Sequence, residues 1–237
     1  MRTFMHRICR LMLSLVLLTA VFADIKPALA ANGGEPEAVT TATSPALRIG
    51  SRGWQVTQLQ QNLRALGYFT YSRNTGYYGW ITAAAVKRFQ AAYLLKVDGI
   101  AGPITNTAIK HAVVKKKIIA DSTKYIGVKY VWGAESPSQG FDCSGYVHYM
   151  FTSHGVWSVP RTTASQLYRR GFAVSRNNLR PGDLVFFSME SRGVISHVGF
   201  YMGNNKFISA TISKGVWIYS MDNSYWGPHY MGAKRVY

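Results

Sequence analysis

Cysteine and histidine are the two side chains of this sequence whose positions suggest covalent chemistry. Cys143 follows Asp142, a residue type favoured at helix N-caps, and the apolar Val147, Met150 and Phe151 come four, seven and eight positions after the cysteine. This spacing predicts a helix that begins at the cysteine and packs against a core. Backbone N–H groups and the helix dipole at that end favour a thiolate and could bind an oxyanion, so we expect a depressed pKa for the Cys143 thiol.

A general base for this cysteine must come from another part of the chain, and His197 is the candidate. It begins a predicted strand, residues 197–202, and shares one strand face with Gly199, which leaves room for another group. His148 is a weaker candidate because its place on the predicted helix is about 140° around the axis from Cys143. A helix-start cysteine with a strand-start histidine favours nucleophilic catalysis.

The first 30 residues have the order typical of a cleaved secretory signal. A basic start is followed by an apolar run from Leu11 to Phe22 and by the small-residue end Ala28-Leu29-Ala30. The run is too short to span a bilayer, so we expect a secreted protein with no stable membrane anchor, beginning near Ala31. A retained membrane anchor is the alternative.

Cleavage of this segment changes the charge and the cysteine content. Of 27 basic and 10 acidic residues, 23 and 9 remain, which gives a net charge of +14. A protein with this much positive charge attracts polyanions, but the sequence contains no nucleic-acid-binding motif. The alternative is that the charge serves only solubility. Cleavage also removes Cys9, so Cys143 becomes the sole cysteine and cannot form an intramolecular disulfide.

No cluster of side chains has metal-ligand spacing, and we expect neither a metal nor a cofactor.

The N-terminal half of the mature chain divides into a tether and a helical domain. Residues 31–46 contain almost no large apolar residue and predict a flexible tether. Residues 47–111 have apolar residues at helical spacing and an internal repeat in which residues 76–86 match residues 99–109 at a constant offset of 23. Each copy has a glycine turn, a threonine at a predicted helix N-cap and apolar inner positions. The pattern predicts a small all-α domain of three helices.

Residues 112–237 are predicted to form one α+β domain. Helices come first, and five strands separated by glycine-containing turns follow from Asp183 to the C-terminus, as in a helix layer packed on an antiparallel sheet. The lysine run at residues 115–117 is expected on a solvated helix face.

Two families share these patterns. Residues 118–237 resemble the NlpC-type family of papain-like peptidoglycan endopeptidases over nearly their whole length, through five segments: residues 127–133, 141–145, 159–161, 179–184 and 196–199. Residues 47–111 resemble the peptidoglycan-binding three-helix domain that accompanies many wall hydrolases. One departure is Thr75, where that family favours an acidic residue such as Asp98 in the second copy.

The resemblance implies a papain-like cysteine peptidase domain behind a peptidoglycan-binding domain, in an extracellular or wall-associated protein. The implied reaction is hydrolysis of an amide in wall stem peptides, between D-isoglutamate and the diamino acid, through a thioester. Cys143 is then the nucleophile and His197 the base. The residues carried over as substrate-side or supporting groups are Tyr130, Asp142, Ser144 and Arg161. The implied partners are peptidoglycan and anionic wall polymers, not nucleic acid.

Ser209 is a departure from the family pattern. Its position, twelve after the base, usually holds a histidine that completes the catalytic set. We expect the Ser209 hydroxyl to accept a hydrogen bond from the His197 ring. Three alternatives stay open: a catalytically degenerate protein that binds peptidoglycan, a muramyl amidase, and an acyl transferase that uses the same Cys-His pair.

Overall fold

The computed structural model describes residues 45–189 and 193–237, and all of them fall in one structural unit. The predicted secretory signal, residues 1–30, and nearly all of the predicted tether, residues 31–46, lie outside the described residues. Among the described helices, none combines the length and the apolarity that a membrane span requires.

Helices occupy the first part of the described chain and strands the second. The helices are α1 (Trp54–Ala65), α2 (Trp80–Ala92), α3 (Pro103–Ser122), α4 (Cys143–Thr152), α5 (Ala164–Tyr168) and α6 (Trp226–His229). The strands are β1 (Glu135–Ser136), β2 (Gly140–Phe141), β3 (Phe172–Val174), β4 (Leu184–Phe187), β5 (His197–Gly203), β6 (Lys206–Thr211), β7 (Gly215–Ser220) and β8 (Tyr230–Arg235). The order confirms the predicted fold class, a three-helix domain followed by an α+β domain.

Helices α1 and α2 bury the apolar residues that the sequence pattern selected. Val56 and Leu63 of α1 share one core with Val86 and Phe89 of α2, and all four side chains are fully buried. Gly67, just past the end of α1, has a φ of 84°, in the left-handed region where glycine ends helices. The periodicity was therefore sufficient to predict both helices, but the predicted threonine N-cap was wrong, because α2 begins after Gly79 and Thr82 is buried within its first turn.

A buried glutamine holds the loop of each repeat. Gln60 donates to Thr75 Oγ1 at 3.2 Å and to Thr82 Oγ1 at 3.0 Å, and its Oε1 accepts from the Gly76 amide. In the second copy Gln90 makes the corresponding bonds to Asp98 Oδ1, Thr105 Oγ1 and the Gly99 amide, at 2.9, 3.2 and 2.8 Å. Thr75 thus supplies the acceptor that Asp98 supplies, which explains why the departure from the family pattern leaves the loop intact.

Helix α3 runs without interruption across the predicted domain boundary at residues 111 and 112. Ile109 and Ala112 belong to the core of the three-helix domain, and Ile118, two turns later, belongs to the core of the α+β domain. Because one helix contributes to both cores, the two domains share a rigid element where the sequence only indicated that no long linker is present.

Lys115 lies in this shared helix and is buried, which corrects the expectation that residues 115–117 form a solvated face. Its side chain packs on Gly182, where a Cβ would lie only 2.5 Å from Lys115 Cβ, and its Nζ is 3.6 Å from Asp183 Oδ1. Lys116 and Lys117 are exposed as expected. The periodicity of α3 carries Lys115 onto the face that meets the sheet, and a buried carboxylate there compensates its charge.

The C-terminal strands form one antiparallel sheet in the order β3-β8-β4-β5-β6-β7. Alternate residues of β4 enter two different cores: Leu184 and Phe186 face the core that includes α4, and Val185 and Phe187 face a second, aromatic core. The sheet is therefore covered on both faces. The start of β5 lies next to α4, which brings the predicted base to the helix that carries the cysteine.

Candidate active site

Helix α4 begins at the predicted nucleophile, and a side-chain cap fixes its first turn. Asp142 is the N-cap: its Oδ1 accepts hydrogen bonds from the Gly145 amide at 2.6 Å and from the Ser144 hydroxyl at 2.9 Å. No side chain fits at position 145, since a Cβ there would lie 2.1 Å from the carbonyl oxygen of Ala134. Cys143 is consequently held at the first helical position, as predicted, and is 8% exposed.

The second carboxylate oxygen of Asp142 is also bound by protein groups. Oδ2 accepts from Arg161 Nη2 at 2.5 Å and from the Gly133 amide at 2.9 Å. Arg161 Nη1 donates to Ser144 Oγ at 2.8 Å, and Arg161 Nε lies 3.2 Å from Glu135. Asp142, Ser144 and Arg161 therefore form one network that holds the N-terminus of α4. Contact of any of them with substrate stays a prediction.

Tyr130 lies beside the segment that leads into the cysteine. It forms a parallel bridge with Phe141, two residues before Cys143, and its partly buried side chain packs against the core that contains Cys143. The position agrees with a place near the nucleophile, and a substrate contact for Tyr130 stays a prediction.

His197, the first residue of β5, lies in an aromatic environment. It is 8% exposed, and its ring centroid is 5.1 Å from that of Trp226 and 6.3 Å from that of Phe187. The next residue, Val198, packs in the same core as Cys143, and its backbone amide is close enough to lower the pKa of the Cys143 thiol. The fold thus places the predicted nucleophile against the first residues of β5.

Burial decides the protonation states of this pair. Desolvation raises the pKa of the Cys143 thiol to about 11, the Val198 amide works in the opposite direction, and the Asp142 carboxylate adds to the rise. Burial also lowers the pKa of His197 to about 4, although Asp142 opposes this change. The expected depression of the thiol pKa is therefore wrong, because desolvation outweighs the helix end. Thiol and imidazole are both neutral at pH 7.

Because the Cys143 thiol and the His197 imidazole are both neutral, we expect iodoacetamide to alkylate Cys143 slowly at pH 7. The thiolate is the reactive form, and below a pKa of about 11 its fraction rises roughly tenfold for each pH step of one. We expect the alkylation rate of the Cys143 peptide, measured by mass spectrometry, to rise from pH 7 to pH 10 without a plateau. The urea-unfolded chain, whose thiol is solvated, is the control and should level off earlier. A plateau near neutral pH in the folded protein would show a preformed ion pair instead.

Ser209 does not reach the imidazole. Its buried hydroxyl donates to the carbonyl oxygen of Val198 at 2.6 Å, and the Nε2 atom of His197 has no hydrogen-bond partner among the described residues. The prediction that Ser209 accepts a hydrogen bond from the ring is therefore wrong. Ser209 stands beside Gly199, where an added Cβ would lie 3.0 Å from Ser209 Cβ, so it lies opposite Gly199 rather than His197.

Trp226 lies against the predicted base, although no pattern in the sequence indicated it. It is 5% exposed in the one-turn helix α6, and its backbone N–H donates to Asn223 Oδ1 at 2.6 Å. The segment between β7 and β8 has no periodic pattern that would indicate where this indole points. Only the packing of that segment on the sheet brings Trp226 and His197 together.

A cysteine at a helix start, packed on an antiparallel sheet that supplies a histidine, defines a papain-like α+β domain. The NlpC/P60 family matches residues 127–235, and a peptidoglycan-binding domain family matches residues 52–109. Murein DD-endopeptidase MepH of Escherichia coli (strain K12) is 39% identical over 149 residues, which are 61% of this chain and 55% of MepH. Gamma-DL-glutamyl hydrolase of Bacillus subtilis (strain 168) is 41% identical over 118 residues, which are 50% of this chain and 28% of that protein.

A solved structure, the NlpC/p60 domain of the peptidoglycan hydrolase SagA, is 30% identical, and the match covers 51% of this chain and 97% of that one with a TM-score of 0.44. The chain therefore carries an NlpC/P60 domain with a peptidoglycan-binding domain before it. It spans 55% of MepH and 28% of the Bacillus hydrolase, so it is similar to only part of either protein.

Proposed function

We propose that this protein is a secreted peptidoglycan hydrolase, a cysteine endopeptidase that cleaves an amide bond in wall stem peptides. One observation carries the proposal: the capped N-terminus of α4 holds the Cys143 thiol near the backbone amide of Val198, the residue that follows His197 in β5. A nucleophile and a base, both shielded from water and positioned by rigid elements, are the parts that acyl transfer requires.

The proposed reaction begins with transfer of the Cys143 thiol proton to the neutral His197 imidazole. The sulfur attacks the amide carbonyl carbon, and the first-turn amides of α4, Cys143 N–H and Ser144 N–H, lie near the resulting oxyanion. The tetrahedral species expels the amine, which takes the proton from the imidazolium, and a thioester remains. His197 then removes a proton from water, the hydroxide attacks the thioester, and the released thiolate takes the proton back as the carboxylic acid product leaves.

The bond that we propose joins D-isoglutamate to the diamino acid. One relative is named a γ-DL-glutamyl hydrolase, which agrees with this bond, whereas MepH is named a DD-endopeptidase. Cleavage of a D,D cross-link is therefore the second candidate. The muramyl amidase, the acyl transferase and the non-catalytic binding protein remain as alternatives for the test.

Two defined substrates separate these candidates when their products are weighed by mass spectrometry. An uncross-linked disaccharide tripeptide should lose its terminal diamino acid if the D-isoglutamyl bond is cleaved. A DD-endopeptidase would leave that substrate intact and convert a cross-linked dimer into monomers. Release of the whole peptide from the sugar would indicate an amidase, and products joined to an added amine would indicate an acyl transferase. If neither substrate reacts, the binding protein is the correct alternative.

Secretion and wall attachment belong to the same proposal. The signal-like residues 1–30 support export, the peptidoglycan-binding domain match over residues 52–109 supports contact with the wall, and the net charge of +14 supports attraction to anionic wall polymers. Because α3 joins both cores, wall binding by the first domain would hold the peptidase at the surface of its substrate.

A further inference from the structure

The imidazole of His197 needs a group that fixes its orientation. Its Nε2 atom is buried and, among the described residues, without a hydrogen-bond partner. Ser209 donates its hydroxyl hydrogen to Val198, and the hydroxyl of Thr211, on the same face of β6, is 2.6 Å from that of Tyr219. A ring that must take a proton from a thiol cannot be left free to rotate, so its orientation has to come from packing.

Trp226 provides a large flat surface against this ring. The imidazole and indole centroids are 5.1 Å apart with an angle of 36° between the planes, closer than the 6.3 Å and 54° of the other aromatic neighbour, Phe187. This separation is within the range of cation–π interactions, so the same indole can stabilise the imidazolium that forms when His197 accepts a proton.

The indole is itself fixed on its other sides. The rings of Phe187, Phe207 and Tyr219 lie 4.9, 5.0 and 5.2 Å from Trp226, and the backbone of α6 is tied down by Asn223, which accepts from the amides of Trp226 and Gly227. A tryptophan surrounded in this way cannot swing aside, so its plane sets the plane of the imidazole.

We propose that Trp226 is the positioning residue of His197 and performs, by ring packing, the orienting role that a hydrogen-bonding third residue performs in a catalytic triad. The inference rests on the proposed function, since it assigns Trp226 a part in the same reaction. The role of Trp226 also explains why a serine is sufficient at position 209. Because the indole orients the His197 ring, the Ser209 hydroxyl can instead bind the backbone of the sheet.

The first test replaces Trp226 with leucine, which keeps apolar bulk and removes the π surface. We expect kcat on the muropeptide substrate to fall roughly 10- to 100-fold, as misplacement of a catalytic group does, and Trp226→Phe to fall by only a few-fold. Val174→Ala is the control: it removes buried apolar volume from the same core at the edge strand β3, away from the rings that surround Trp226, and should stay within about twofold of wild type. Equal losses in Trp226→Leu and Val174→Ala would overturn the proposal.

The pH profile supplies a readout that a structural role would not move. The loss of the indole in Trp226→Leu removes a cation–π attraction, which lowers the pKa of His197, and admits water, which raises it. Because desolvation is the largest influence on this group and holds its pKa at about 4, the acidic limb of kcat/KM should move upward toward 6.5. The other titratable groups of this environment are not substituted in the variant: Asp142 acts on His197 electrostatically, Tyr219 and Tyr225 contact the indole, and Cys143 shares a core with Val198. An acidic limb that stays at its wild-type pH contradicts the proposal.

Rescue by a histidine at position 209 is the decisive experiment. Ser209→His introduces a hydrogen-bonding ring next to Gly199, two residues from His197 on β5, and leaves Trp226 itself unsubstituted or replaced only by leucine. It should raise kcat at least about fivefold in the Trp226→Leu background and less than twofold in the wild-type background, a coupling that a double-mutant cycle measures. Equal factors in both backgrounds would show that Trp226 does not position the base.

Nitrogen-15 NMR of the His197 ring separates this inference from the proposed function, because it needs no substrate. The wild-type protein should show one tautomer and Trp226→Leu a mixture; if the leucine variant does not fold, Trp226→Phe takes its place with a smaller admixture. A mixture already present in the wild type overturns the inference. One tautomer that depends on Trp226, in a protein that cleaves neither muropeptide, would keep the inference and reject the proposed reaction.

Discussion

Replacing Cys143 with alanine is expected to abolish the release of products from peptidoglycan while the protein stays folded. The sulfur is the atom that forms the proposed thioester, and no neighbouring group can replace it: Ser144 Oγ is bonded to Asp142 and Arg161. Loss of the nucleophile of a catalytic triad lowers kcat by about 10⁶-fold, which is below detection in a muropeptide assay. The assay measures soluble fragments released from purified wall, with circular dichroism to verify the fold.

Two histidine variants provide the matched comparison. His197→Gln should lose activity as Cys143→Ala does, because an amide cannot accept the thiol proton. His148 lies on α4 itself, with its Nδ1 3.0 Å from the carbonyl oxygen of Val159, a contact that glutamine can replace. His148→Gln should therefore retain most of the activity. Turnover that survives in Cys143→Ala would end the assignment of a cysteine peptidase.

Replacing Asp183 with asparagine is expected to destabilise the protein by about 3–5 kcal/mol, the usual cost of leaving a buried charge without its partner. Asp183 is fully buried at the junction of the two domains and accepts from Arg235 through both carboxylate oxygens at 2.8 Å, with Lys115 beside it. Asparagine keeps the shape and removes the charge, so two buried cations would remain without compensation. Urea unfolding followed by fluorescence measures the change, which is a large part of the stability of an ordinary domain.

Lys115→Met is the control for this prediction because it removes the surplus cation and leaves the Asp183–Arg235 pair intact. We expect a stability equal to wild type or higher. Burial lowers the pKa of Lys115 to about 8 in the folded protein, so between pH 8 and pH 9 the unfolded chain binds more protons than the folded one. Wild-type stability should therefore gain a contribution that rises with pH in this window and that Lys115→Met lacks. If Asp183→Asn is as stable as wild type, the buried carboxylate does not hold the junction.

The structure of the junction between the two domains could not be predicted from local sequence patterns. The helix that carries Lys115 could be anticipated, but a lysine run is by itself indistinguishable from a solvated face. Lys115 is buried because Gly182 leaves space for it and Asp183 meets its charge, and both belong to a turn distant in sequence. The continuity of α3 through residues 111 and 112 was hidden for the same reason, since each half packs on a different core.

The sequence by itself determined the two domains, the five C-terminal strands, the helix that starts at Cys143 and the strand that starts at His197. Helical and strand periods, N-cap residues and turn glycines are local, so they can be recognised without knowing what packs on what. The tertiary structure alone decided that the thiol is neutral, that Ser209 binds the backbone and that Trp226 faces the base. These properties depend on desolvation and on strand register, which exist only once distant segments have come together.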